Sequence, residues 1–315
     1  MKYRVISFQI LVKVLLFLTC TFIPTSKIWG ESTQVLQIAC SHPQVCRLID
    51  WMYDDKAIQT SFPIGQITGD PHHFEPSPKD LKSLLEAPLL VSAPLQLQPW
   101  LRGVLRQRTR NQELNTLTLS TTNFKNYYPR ASRESLAHFW LFPEAICSMA
   151  EQINVFLREE YKNDSEEPLE YKIDCQKIQK QLAQSFKNFQ EQTGYTLILT
   201  HDALTPLLKK YEVKHLALRS SGHGDRINSR HLRELENLIN QSKYTPLIWV
   251  EEDQLLKNSQ LQAKKRDFDL TLNLTTDGPI NYEQKDSNVD GLLLPLNQII
   301  TFLSKLTTVE TSENE

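Results

Sequence analysis

The sequence predicts an α/β protein of two lobes, each a mainly parallel β-sheet flanked by helices, with a long connecting helix joining them. Three observations lead there. Short apolar β-type runs alternate with helical patterns, as they do in βα units. These runs fall into two groups separated by a strandless stretch from Pro143 to Gln192. A chain of 315 residues, at about 100 to 200 per domain, is also long enough to bury two cores.

The elements follow in chain order. Lys2 and Arg4 precede an apolar run from Ile10 to Ile23, interrupted by Lys13 and ended by Pro24. This reads as a secretory signal peptide over residues 1–30, with Ser26 and Gly30 as small residues for cleavage. The run is shorter than the roughly 20 residues that span a bilayer. Cys20, preceded by Phe17, Leu18 and Thr19, is a poor lipid acceptor. The first lobe, 31–167, has strand patterns at Val35 to Cys40, Ser61 to Ile64, Leu89 to Ser92 and Leu114 to Leu119. Ser77, Pro78 and Asp80 make a capping box with proline at the first helical position, opening a helix through Leu81, Leu84 and Leu85. His72 and His73 therefore fall in the connection between a strand end and a helix start.

The connecting helix, 168–194, carries Ile178, Leu182, Phe186 and Phe189 at helical spacing after a polar break, "KNDSEEP". The second lobe, 195–315, repeats the alternation at Tyr195 to Thr200, Val213 to Leu218, Leu247 to Val250 and Phe268 to Leu274. Between them Ser229 caps a helix with Leu232, Leu235, Leu238 and Ile239 on one face, and His231 near its start is expected to be solvated.

Composition narrows the function. Apolar residues make up 40% and charged residues 23%, as in an ordinary globular protein. Residues 1–30 hold four of the 35 basic residues and none of the 37 acidic ones, so the mature chain stands near −6 and nucleic acid is not an expected partner. Only 9 glycines occur, with no dinucleotide or P-loop fingerprint. Cys40, Cys46, Cys147 and Cys175 remain after export, allowing three disulfide pairings or free thiols. None has the Cys-x-x-Cys spacing of a structural zinc site.

Three histidines share one kind of address. His72 follows a strand, His201 in "LILTHDALTPLL" ends a strand just before a helix, and His138 in "AHFWLFPEA" leads into the helix at Pro143. Ligands in open α/β sheets collect outside the carboxyl ends of strands, so these imidazoles can converge on a metal. Neutral imidazole suits zinc, with an acid or water completing a tetrahedron. His42 in "CSHPQ" and His223 in "SSGHGDR" have similar addresses, and address alone leaves five candidates.

Several segments, "GDPHHFEPSPKDLKSLLEAPLLV", "LQLQPWLRGVL", "AHFWLFPEAICSMAEQI", "THDALTPLLKKYEVKHLAL" and "LRELENLINQSKYTPLIWVEE", resemble the metal-binding solute-binding proteins of ABC transporters. The resemblance implies His72, His138 and His201 as ligands, with His73 a neighbour. It implies a late acid as the fourth, expected near Asn273 and Thr275 and assigned to Asp277, with Asp290, Glu251 or a water as rivals. Manganese receptors of this kind have a carboxylate at the third position, and nitrogen from His201 favours Zn2+ over Mn2+. Leu136 and Ala137 before the second histidine, and Phe142 after it, depart from the pattern. What the resemblance implies is an extracytoplasmic receptor, a monomer rather than an enzyme. It would capture a divalent metal between the lobes and pass it to an ABC permease. The connecting helix would limit closure, and affinity should fall below about pH 6.5 as protons compete for imidazole. Two alternatives stand beside it. One is a secreted zinc hydrolase or deacetylase using Asp202 or Glu75 as base, for which no His-Glu-x-x-His occurs. The other is a surface interaction protein that keeps the fold with weak metal binding.

Overall fold

The computed structural model describes residues 35–53, 58–64, 74–111, 113–129, 131, 138–160, 174–192, 194–218, 229–241, 247–252, 268, 270–274 and 295–305. Among the described residues eight strands form two parallel sheets of four. The first holds β1 (Leu36–Cys40), β2 (Ile58–Ser61), β3 (Leu89–Ser92) and β4 (Asn115–Thr118). The second holds β5 (Thr196–Leu199), β6 (His215–Ala217), β7 (Leu247–Glu252) and β8 (Leu270–Leu274). The strand orders are β2-β1-β3-β4 and β6-β5-β7-β8, one permutation used twice. In this order the chain reverses direction across the sheet between β1 and β3, and again between β5 and β7, and such switch points open a crevice at the carboxyl ends of the strands.

The helices are α1 (Pro43–Met52), α2 (Pro78–Glu86), α3 (Leu101–Arg108), α4 (Pro143–Glu160), α5 (Cys175–Gln192), α6 (Thr205–Lys210) and α7 (Ser229–Gln241), with α8 at 295–305. Among the described residues no helix is long and apolar enough to cross a membrane. The capping box opens α2 as predicted. Asp80 N–H donates to Ser77 Oγ at 3.3 Å, while Ser77 N–H donates to Asp80 Oδ2 at 2.9 Å. At the other end of the scale of helix signals, α6 stops without glycine. Glu212 takes the left-handed conformation (φ 55°), and the Val213 and Glu212 N–H groups close on the Leu208 and Lys209 carbonyls at 2.9 and 3.2 Å.

Two expectations need correction. The second strand is Ile58–Ser61, ahead of the predicted Ser61 to Ile64. Pro63 has no N–H to give a ladder, and the apolar Phe62 and Ile64 are buried in the turn that follows instead. His231 is half-buried with its Nδ1 out of contact with solvent. It lies one turn before the fully buried Leu235, on the face of α7 that packs inward.

One apolar cluster spans both sheets. It runs from Ile38, Leu90 and Val91 through Ile146, Met149 and Ile153 of α4 and Leu182, Phe186 and Phe189 of α5, to Leu199, Ile248 and Val250. Helix α4 packs on both α1 and α5, and Tyr53 donates to Asn154 of α4 at 3.0 Å. The two sheets thus share a continuous core. A smaller cluster of Ile198, Leu216, Leu218, Leu235 and Trp249 packs α7 on the second sheet. The four cysteines pair as Cys40–Cys46 and Cys147–Cys175, the first linking β1 to α1 and the second tying α4 to the start of α5.

His215 of β6 gives the second lobe a pH dependence. Its Nδ1–H donates to the Val213 carbonyl at 2.7 Å. Burial lowers its pKa, the Val213 bond opposes that, and Lys209 adds to it. The folded state therefore binds its proton less readily than the unfolded state. The stability from the neutral ring is complete above the ordinary value of about 6.5 and is lost as pH falls from there toward the folded pKa. Urea midpoints from pH 7.5 to 5 should decline more steeply for the wild type than for His215→Gln. Equal slopes would remove this role.

Candidate metal site

His201 stands at the switch point of the second sheet. Strand β5 is buried throughout, and the Thr200 N–H beyond it donates to the Val250 carbonyl of β7 at 3.1 Å. His201 follows, then a turn into α6. Its Nδ1 accepts the Ala203 N–H at 3.3 Å, and its Nε2 is 3.9 Å from Asp202 Oδ1. His138 comes from the other half of the chain, just ahead of a 3₁₀ turn, Phe139–Leu141, that feeds α4. Its ring is 3% exposed and meets the Trp140 indole edge-on at 5.3 Å.

The two rings meet. His138 and His201 lie with centroids 6.0 Å apart at 71°. With zinc–nitrogen bonds of about 2.0–2.1 Å and tetrahedral angles, imidazole centroids on one ion stand about 5 Å apart. The observed separation is about 1 Å wider than that.

His42 occupies the matching address in the first half. The Ser41 N–H donates to the Val91 carbonyl of β3 at 3.2 Å, as Thr200 does to Val250. His42 Nδ1 accepts the Gln44 N–H at 3.2 Å, as His201 does from Ala203. Here the ring caps α1 and stacks on Trp140 at 5.0 Å and 15°, on an indole that also touches His138. The turn beneath it is rigid. Ser41 Oγ accepts the Ala93 N–H at 2.9 Å and donates to Gln98 Oε1 at 2.6 Å, while Gln98 Nε2 donates to the Ser41 carbonyl at 2.8 Å. The sequence assigned no role to Trp140, whose signal was its place in the "AHFWLFPEA" segment that carries the resemblance.

The remaining predicted ligands are not placed. His72, His73, Asp277, Asp290, Thr275 and His223 lie outside the described residues. Glu251, expected after its strand, lies within β7 with its backbone opposite Asn273. Among the described residues no group of three or more His, Cys, Asp or Glu side chains converges as a metal site.

A separate cluster of side chains crosses between the lobes. Glu144, in the first turn of α4, accepts from the Tyr128 hydroxyl on one carboxylate oxygen and from Lys210 Nζ of α6 on the other. Burial first, and then the Glu144 charge, push the Tyr128 phenol far up and Tyr211 up to about 12, so both phenols stay protonated. The sequence held no sign of it, because the partners are 66 positions apart.

A pair of parallel α/β sheets with the same strand order, sharing one core and bringing histidines together from both halves, defines a two-lobed solute receptor. The model of the periplasmic zinc-uptake complex component A family, ZnuA, matches residues 41–279. The chain belongs to that family. It is a metal-binding receptor of the ABC-transporter type, extracytoplasmic in location, and members of the family are solute-binding receptors rather than enzymes. The hydrolase alternative falls with that. No curated protein matches the chain significantly. Among solved structures the AdcAII protein of Streptococcus pneumoniae is similar at 18% identity and a TM-score of 0.61, over 87% of this chain and 98% of that one. TroA of Treponema pallidum, a periplasmic zinc-binding protein, is similar at 14% and 0.60, over 85% and 99%. A ZnuA structure is similar at 17% and 0.58, over 87% and 98%. At these identities the likeness speaks for the fold.

Proposed function

We propose that the protein captures zinc between its lobes through His138 and His201, completed by His72 and by Asp277, and delivers it to an ABC permease. The observation that carries this reading is the 6.0 Å approach of His138 and His201 from opposite halves of the chain. Asp290, Glu251 or water are the rivals for the fourth position. Three nitrogen donors favour Zn2+ over Mn2+. With Nδ1 of His201 accepting from Ala203, the neutral ring carries its proton on Nε2. Capture through Nε2 exchanges that bond for an Nδ1–H donor, a local cost of loading. The reading includes export by residues 1–30, a monomer, and lobes at 31–167 and 195–315 joined by a segment at 168–194 that contains α5. A core continuous through α4 and α5 supports a stiff receptor whose lobes close by little.

Elemental analysis of the mature protein purified without an affinity tag, with calorimetric titration of zinc and manganese, tests it. One equivalent of zinc is expected, held at least tenfold more tightly than manganese given the donor set. Absence of stoichiometric metal, or a preference for manganese, would refute the assignment.

A further inference from the structure

The lobe-crossing cluster around Glu144 lies close in sequence to both described histidines. Glu144 follows His138 by six residues and Lys210 follows His201 by nine, each in the first helix after its histidine. The Glu144 side chain is 7% exposed. Its two oxygens are divided between a phenol of its own lobe and an ammonium of the other. The ammonium lies 5.3 Å from the Tyr128 ring centroid and 5.6 Å from that of Tyr211, within cation–π range. Tyr128 packs on Phe142 at 4.9 Å. Tyr211 stacks on Phe186 of α5 at 4.8 Å, and Gln190 of α5 donates to the Tyr211 carbonyl. Both lobes therefore meet at the Lys210 nitrogen, and the segment between them packs on Tyr211 beside it.

We propose that Glu144, Tyr128 and Lys210 form an interlobe clasp that sets the approach of His138 and His201 before metal arrives. The inference rests on the metal-capture reading above. All three are positioning residues, distant in role from the ligands. An ion pair with a nearly buried carboxylate is sensitive to loss of either member, because the survivor keeps its desolvation cost without its partner. A buried phenol held on the same carboxylate fixes its rotamer. Helices α4 and α6 are thus held at one separation, and that separation carries the two imidazoles. Without it, zinc binding must itself bring the lobes into register, which reduces affinity by the ordering cost.

Two readouts test this. The first is zinc affinity, by competition with a fluorescent chelator. The second is the metal-free distance distribution between spin labels at Lys79→Cys on α2 and Asn237→Cys on α7, both exposed positions. Lys210→Met should weaken zinc binding about tenfold, within the usual range of coupling between sites, and broaden the distance distribution. Lys210→Arg, which keeps the cation, should restore both to within about twofold, since guanidinium pairs with carboxylate at least as well. The Glu144→Gln/Lys210→Met double variant should bind no more weakly than Lys210→Met, because coupled partners are not additive. Should Lys210→Met fold poorly, Glu144→Gln serves, with about a threefold loss expected as charge-assisted bonds become neutral ones.

Unchanged affinity and an unchanged distribution in Lys210→Met would overturn the clasp. A broadened distribution with unchanged affinity, in a protein whose His138→Ala variant has lost zinc, would overturn its positioning role. If His138→Ala also binds zinc normally, the metal-site reading fails, and the distance readout judges the clasp's hold on the lobes by itself.

Discussion

His138→Ala should lose zinc affinity by about a hundredfold or more, roughly 3 kcal/mol, and should also lower the stability of the metal-free protein, because it leaves a cavity where the ring packs. The His138 ring is almost wholly buried and wedged between Trp140 and His201. Alanine leaves no donor there, and a small side chain cannot bring one from elsewhere. His201→Ala should behave likewise from the opposite lobe, although its ring is more exposed and its removal also breaks the Ala203 turn. Calorimetric titration measures the affinity directly. Thermal melting separates it from folding, because zinc in excess should raise the midpoint of the wild type by mass action and should scarcely move either variant. Wild-type affinity in both variants would place the cation at some other group of side chains.

The addresses of these two histidines could be read in the sequence, because a polar residue between a buried strand and a helix start has few places to go. Their meeting followed from the family resemblance and not from local pattern. His42 shows why: it follows β1 as His201 follows β5, and its Nδ1 takes the equivalent N–H. Only its neighbour differs, Trp140 stacked on its ring from almost a hundred positions away. Local pattern fixes which strand end a side chain occupies, whereas what faces it there is a tertiary fact. The same division holds for the sheets. Leu89–Ser92 matches its apolar run residue for residue, since a strand buried on both faces is continuous in hydrophobicity. The second strand was displaced because Phe62 and Ile64 are as apolar as strand residues and are buried for a different reason, in a turn set by Pro63. An even cysteine count allowed three disulfide pairings or free thiols, and the folded chain selects Cys40–Cys46 and Cys147–Cys175.

Arg108 is the clearest case of a residue whose role the sequence concealed, and it carries the largest expected effect on stability. By pattern it is one more base in the last turn of a surface helix. In the fold it is 1% exposed. Its Nη1 donates to the carbonyls of Leu84, Leu85 and Ala87 at 2.8, 3.3 and 2.6 Å, its Nη2 to the Asn115 carbonyl at 2.9 Å, and its Nε to Thr116 Oγ1 at 2.8 Å. The carbonyls of Leu84 and Leu85 belong to the end of α2, where helices leave acceptors without intrahelical partners and the dipole favours a cation. The Asn115 carbonyl and the Thr116 hydroxyl stand at the start of β4, so one guanidinium ties α3, α2 and the first sheet together. Burial lowers its pKa, yet an arginine so placed keeps its charge. Arg108→Met fills much of the volume but leaves four carbonyls and a hydroxyl in search of donors. At about 1–3 kcal/mol for each buried acceptor left bare, partly relieved by entering water, a net loss of about 3–4 kcal/mol is expected. Arg108→Lys should recover less than half of that, because one ammonium offers three donors where the fork offers five. Urea unfolding of the metal-free protein measures both. The zinc affinity of the folded fraction should stay at the wild-type value, since Arg108 touches neither histidine. A midpoint for Arg108→Met corresponding to less than about 1 kcal/mol of lost stability would mean that water replaces the guanidinium at little cost, and that the end of α2 is held by its packing alone.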